Sequence, residues 1–193
     1  MSKLVLASSS PRRKELMDKI TRGQYEIMIP GVEETFDGMS PPEDVVAEFS
    51  RKKAGSVRRR CDPDDIIIAA DTIVWHEGAV LGKPAGGEDA ARMLRELSGG
   101  WHSVYTGLTV RRGDTVLTQE EITSVKMREF SDEMIRRYIQ TGEPLDKAGA
   151  YGIQGAGALL VERVDGDFFN VMGLPLCRLS TMLESIGIDL MLM

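Results

Sequence analysis

Cysteine is scarce. Cys61 and Cys177 are the two present in 193 residues, and they form neither a CxxC pair nor a dense disulfide framework, so both read as reduced packing thiols. Long apolar runs are missing as well. Nothing approaches the roughly 20 residues a spanning helix requires, and no signal peptide precedes the first strand-like run, so a soluble, cytoplasmic chain with no membrane partner is expected. Positive charge is outnumbered, 24 Lys and Arg against 30 Asp and Glu for a formal charge of −6, which disfavours broad electrostatic binding of nucleic acid. Any anion site must therefore be local. The two histidines, His76 and His102, have no metal-ligand or nucleophile partner at suggestive spacing and read as structural. Repeats, low-complexity tracts and polar linkers are absent, so residues 1–193 read as one domain.

What is present alternates strand-like and helical patterns, which predicts an α/β sheet with helices on its faces. LVLA and YEIMI read as strands, and PRRKELMDKI between them as a helix with Ser10 as N-cap and Pro11 at the first helical position. A second helix is expected from SPPED, where Ser40 and Glu43 have capping-box spacing. IIIAAD reads as a buried strand ending on its acid, with a hairpin through HEG after it. GGEDAARMLRELSG predicts a third helix, and WHSVYTGLTVRR and TVLTQEEITSVKM two long strands joined by a turn at Gly113 and Asp114. SDEMIRRYIQTG and GLPLCRLSTMLESIG complete the helices. Trp75, Trp101, Phe168 and Phe169 could stack on a base but are expected to fill the core, and the runs at Arg58–Arg60 and Arg136–Arg137 to be solvated faces.

Chemistry is suggested first by SSSPRRKEL, residues 8 to 16, where a strand enters a helix through a hydroxyl-rich turn. The unpaired N–H groups and positive dipole end of such a helix favour an anion. Ser8 and Ser10 could add hydroxyls, and Arg12 and Arg13 guanidinium forks suited to phosphate. The plain alternative is an N-cap with two solvated arginines. Acids that could serve a metal or a water are Asp71, after IIIAA, and Glu33 and Glu34 in PGVEETF, against the alternatives of a cap and a solvated loop. Lys83 in LGKP could meet a phosphate. PLDKAGAYGIQGAG carries glycines at 149, 152, 155 and 157 and reads as a ligand-facing loop in which Gln154 could read a base edge, or else as a flexible turn. It matches neither the Walker pattern nor GxGxxG.

These segments together resemble the Maf family, the septum-formation inhibitor proteins. The resemblance rests on LASSSPRRKEL, GVEE, AADTIVWHEGAVLGKP, LSGGWHSVYTG, TGEPLDKAGAYGIQGAGALLVERVDG and NVMGLPL, collinear over nearly the whole chain. It implies an inosine-triphosphatase-like α/β fold: a twisted mixed sheet flanked by helices, two lobes around a cleft. It implies nucleoside triphosphate pyrophosphatase activity. By resemblance Ser8, Arg12 and Arg13 contact the substrate, Glu34 and Asp71 serve the metal and the catalytic water, Lys83 binds phosphate and Gln154 lines the nucleotide pocket. Arg12, Tyr151 and Gln154 resemble the pyrimidine branch, implying dTTP and UTP; DFFN at 167–170 departs from the family pattern at a position peripheral to the phosphate residues.

The expected reaction is metal-assisted hydrolysis between the α and β phosphates, giving a nucleoside monophosphate and pyrophosphate. The expected cofactor is a divalent cation, Mg²⁺ by preference with Mn²⁺ or Co²⁺ as alternatives, and Arg12, Arg13, Lys83 and Lys147 would offset phosphate charge. Because an unaided carboxylate is a weak base at neutral pH, metal activation of the water would supply most of the effect, with Asp71 orienting or deprotonating it. The competing class is a nucleotide-binding regulator of cell division with little turnover. A homodimer is compatible with the sequence, although no heptad or self-complementary strip indicates one.

Overall fold

The computed structural model describes residues 2–33, 35–36 and 38–192. In chain order the elements are β1 (Leu4–Leu6), α1 (Pro11–Thr21), β2 (Glu26–Ile27), α2 (Pro42–Val57), β3 (Ile66–His76), β4 (Ala79–Leu81) and α3 (Gly87–Leu97). There follow β5 (Trp101–Arg112), β6 (Thr115–Met127), α4 (Asp132–Gln140), β7 (Val161–Asp165), α5 (Phe168–Met172) and α6 (Leu176–Glu184). The strands form one mixed sheet in the order β2-β1-β3-β5-β6-β7, with β4 paired to β3. β1 is parallel to both β2 and β3, whereas the β3–β4 and β6–β7 pairs are antiparallel. A mixed sheet flanked by helices is thus what the alternating pattern produces.

The chain folds into two compact units. The first comprises Met1–Asp71, Thr106–Glu121 and Gly173–Met193, and the second Thr72–Tyr105 and Ile122–Met172. In the first, Val5 of β1, Ala7 just beyond it, and Ile67 and Ala69 of β3 pack on Ala54 and Val57 of α2. In the second, Leu94 and Leu97 of α3 meet Val104, Val125 and Met127 of the strands and Ile135 and Tyr138 of α4. Each fully buried aliphatic side chain of this kind contributes about 1.5–3 kcal/mol of transfer free energy.

Local signals place most elements where the sequence puts them. Ser10 caps α1, its hydroxyl accepting from the Arg13 N–H at 3.5 Å, and Pro11 opens the helix. Ser131 caps α4 in the same way. Four expectations change. Ser40 does not cap α2, because Pro41 and Pro42 fix the entry and the N-cap is Pro41, without a side-chain bond. β3 does not end at Asp71: TIVWH continues as strand to His76, so the acid sits inside a strand rather than at its tip. YEIMI shrinks to the two residues of β2, whose Ile27 is exposed. Trp101, 45% exposed, and the edge-to-face pair Phe168 and Phe169 lie at the surface instead of filling the core. The basic runs are largely solvated as expected, and both cysteines are free thiols. No helix among the described residues is long and apolar enough to cross a membrane.

Candidate active site

In the first unit the turn between β1 and α1 is built by its own serines. Ser8, almost wholly buried, accepts from the Ser10 N–H at 3.1 Å and from Nη1 of Arg13 at 3.4 Å. Arg13 is also buried, and its Nε donates to the Gly173 carbonyl at 2.7 Å, so this arginine ties the turn to the segment ahead of α6. Arg12 beside it is half-buried. The first turn of α1 contains no acid. The N-terminal end of a helix carries the positive end of its dipole, where an anion is stabilised.

Asp71 lies in the same unit and is 4% exposed. One of its oxygens, Oδ1, accepts from Nζ of Lys53 at 2.5 Å, and Lys53 is itself 7% exposed. Neither charge would be tolerated at that depth alone; each is the other's counter-ion. Lys53 is the residue that sequence reasoning missed, although a signal existed. Val46, Ser50, Lys53 and Val57 follow helical spacing on the buried stripe of α2. A lysine on such a stripe demands an acidic partner from the element it packs against. Here that element is β3.

The second unit carries the remaining expected residues. Lys83 is exposed just beyond β4. Lys147 is engaged, its Nζ donating to the Glu143 carbonyl at 2.6 Å and to Asp146 Oδ1 at 2.7 Å. Gln154 is half-buried and precedes the 3₁₀ turn Gly155–Leu160. The glycine-rich stretch is therefore not a slack loop but a run of short 3₁₀ turns, at Glu143–Asp146, Ala148–Ala150 and Gly155–Leu160. Glu143 is a second residue the sequence reading passed over, and its carboxylate accepts from backbone N–H groups of that run. His102 is structural, as expected: its Nε2 bonds the buried Tyr151 hydroxyl at 2.8 Å, and burial, then the nearby His76, pull its pKa down to about 4. Glu34, expected to serve the metal, lies outside the described residues; Glu33 before it is exposed.

The model of the Maf-like protein family matches residues 3–186, a span that holds every candidate site residue named above. The chain belongs to that family. Among Maf-like relatives, the dTTP/UTP pyrophosphatase of Caldicellulosiruptor bescii is 47% identical over 196 aligned residues, covering 99% of this chain and 98% of its own. The dTTP/UTP pyrophosphatase of Clostridium perfringens is 46% identical, covering 98% of this chain and all of its own, and that of Bacillus cereus 44% identical over 98% of each. A looser likeness, at TM-score 0.46 and 13% identity, covers 80% of this chain and 77% of the solved Ham1 protein of Staphylococcus aureus.

Among the described residues no group of three or more His, Cys, Asp or Glu side chains is arranged to hold a metal ion. Mg²⁺ and similar hard ions take one or two carboxylates and complete their shell with water and substrate phosphates. Asp71 offers carboxylate oxygen of that kind; Glu34, expected as the other ligand, lies outside the described residues.

Proposed function

We propose that this protein is a nucleoside triphosphate pyrophosphatase acting on dTTP and UTP, releasing the nucleoside monophosphate and pyrophosphate. The observation that carries the reading is identity of up to 47%, over nearly the full length of both chains, to relatives named dTTP/UTP pyrophosphatase. The local chemistry supports it. Ser8, Ser10, Arg12 and Arg13 build an anion-seeking turn, and Lys83, Lys147 and Gln154 are the further groups assigned to substrate, the lysines to phosphate and the glutamine to the base.

In the reaction a water oxygen bonds to the α phosphorus, the α–β bridging oxygen leaves with pyrophosphate, and the water's proton passes to Asp71 Oδ. Lys53 donates to Asp71 Oδ1 and leaves the second carboxylate oxygen to accept that proton. A divalent cation held by Asp71 and Glu34, Mg²⁺ by preference, would supply Lewis-acid polarisation of the phosphates and of the water. Arg12, Arg13 and Lys83 offset the negative charge that builds on the leaving pyrophosphate. We further propose that residues 1–193 act as one cytoplasmic domain, as a monomer or homodimer.

A regulator that binds nucleotide without turning it over needs the anion-seeking turn but has no use for an acid set against a lysine in a buried strand. The buried Lys53–Asp71 pair therefore favours the enzyme. The test is pyrophosphate release from a panel of nucleoside triphosphates with Mg²⁺ and with chelator. Release from dTTP and UTP that chelator abolishes is expected. No release from any triphosphate would leave the regulator as the reading.

A further inference from the structure

We propose that Glu143 is a positioning residue for nucleotide recognition: its carboxylate clamps the glycine segment on both sides of Gln154 and so fixes how that amide is presented. The proposal rests on the pyrophosphatase reading above and extends it to a residue with no assigned role. Glu143 Oε2 accepts from the Ala156 N–H at 2.9 Å, and Oε1 from the Gly157 N–H at 3.0 Å and from the Tyr138 hydroxyl at 2.9 Å. That hydroxyl in turn accepts from the Gly152 N–H at 3.1 Å. Gln154 thus sits between tethers two residues before it and two and three residues after it.

The glycine spacing follows from the clamp. A methyl group on Gly157 would lie 2.1 Å from the Gly152 carbonyl oxygen and 2.6 Å from the Tyr138 hydroxyl, and one on Gly155, where φ is +67°, would lie 2.6 Å from Glu143 Oε2. A side chain at Gly155 would push out the carboxylate, and one at Gly157 would collide with the Gly152 carbonyl and the Tyr138 hydroxyl that the carboxylate holds. Burial, reinforced by Glu143, raises the Tyr138 phenol well above its ordinary range, so it stays protonated and donating; the Gly152 N–H opposes this without reversing it. A carboxylate accepts at both oxygens, whereas an amide would turn its NH₂ toward an N–H donor. Glutamine at 143 can keep part of the clamp but not all of it.

The decisive experiment compares Glu143→Gln and Tyr138→Phe with the wild-type chain, measuring pyrophosphate release from dTTP, UTP and GTP and amide exchange over residues 148–157. In Glu143→Gln, KM for dTTP and UTP should rise about tenfold with kcat held within about twofold, and the preference for pyrimidine over GTP should narrow by a similar factor. The Ala156 and Gly157 amides should exchange at least about tenfold faster. Tyr138→Phe, which deletes one bond and keeps the ring, should move KM in the same direction by about threefold. Folded variants with wild-type KM and preference, or with lowered kcat at unchanged KM, overturn the proposal. Should Glu143→Gln not fold, Tyr138→Phe decides alone. Should the wild-type chain release no pyrophosphate, the activity reading falls, and calorimetric dTTP binding then decides the clamp: about tenfold weaker in Glu143→Gln sustains it, equal binding overturns it.

Discussion

Asp71, buried, and Glu143, half-buried, are carboxylates satisfied in opposite ways. Asp71, inside β3, is neutralised by a full charge, the Lys53 ammonium. Glu143, at the head of the glycine run, is held by dipoles: two backbone N–H groups and a phenol. The difference separates chemistry from architecture. An ammonium is a compact, mobile donor that leaves the rest of its partner available to a proton or a metal. Backbone amides are fixed in direction, so a carboxylate bound to them becomes part of the chain's geometry and little else.

The largest effect expected from breaking that contrast is on turnover. Asp71→Asn should lower kcat by at least about a thousandfold while dTTP affinity, measured by calorimetry, changes little; the asparagine still accepts from Lys53 but cannot take a proton. Wild-type turnover would remove Asp71 from the reaction. Next comes stability. Lys53→Met strands a buried aspartate and should cost roughly 3–5 kcal/mol in denaturant unfolding, with Lys53→Met/Asp71→Asn recovering part of the loss. Additive losses would show that the two groups do not act as a pair.

On the dipolar side, Gly157→Ala should destabilise by about 1–3 kcal/mol and abolish the amide protection of Ala156, because the methyl has no space beside the Gly152 carbonyl. A smaller, pH-dependent effect lies with His102. Burial pulls its folded pKa down to about 4, below the ordinary imidazole value of about 6.5, so the unfolded chain binds the extra proton between those limits. The stabilisation is complete above about pH 6.5 and is lost as pH falls towards 4, by at most about tenfold in the unfolding constant per pH unit. His102→Asn should flatten that slope in thermal unfolding from pH 7 to 4.5. The smallest change expected is from Ser10→Ala, about 1 kcal/mol, for one lost cap bond.

Much of the fold was legible because its signals are local. A serine followed by proline starts α1, a Gly-Asp turn joins β5 to β6, and Gly142 ends α4; each is decided within three or four residues of backbone. Where two local rules competed, the sequence misled. Consecutive prolines overrode the Ser40 cap, and the apolar TIVW carried β3 past an acid that looked like an end.

The sequence by itself determined the alternation of strands and helices, the hydroxyl-arginine turn and the glycine spacing, since capping, turn conformation and side-chain period are properties of neighbouring residues. Tertiary structure alone decided that Lys53 meets Asp71, 18 positions away, and that Glu143 grips Ala156 and Gly157, 13 and 14 positions on. Contacts at that range depend on which faces of α2 and β3 pack together and on how a chain of 3₁₀ turns folds back. Withdrawing either partner from water alone costs free energy, and only the packing that brings both together at once offsets it, which no local stretch of chain can do.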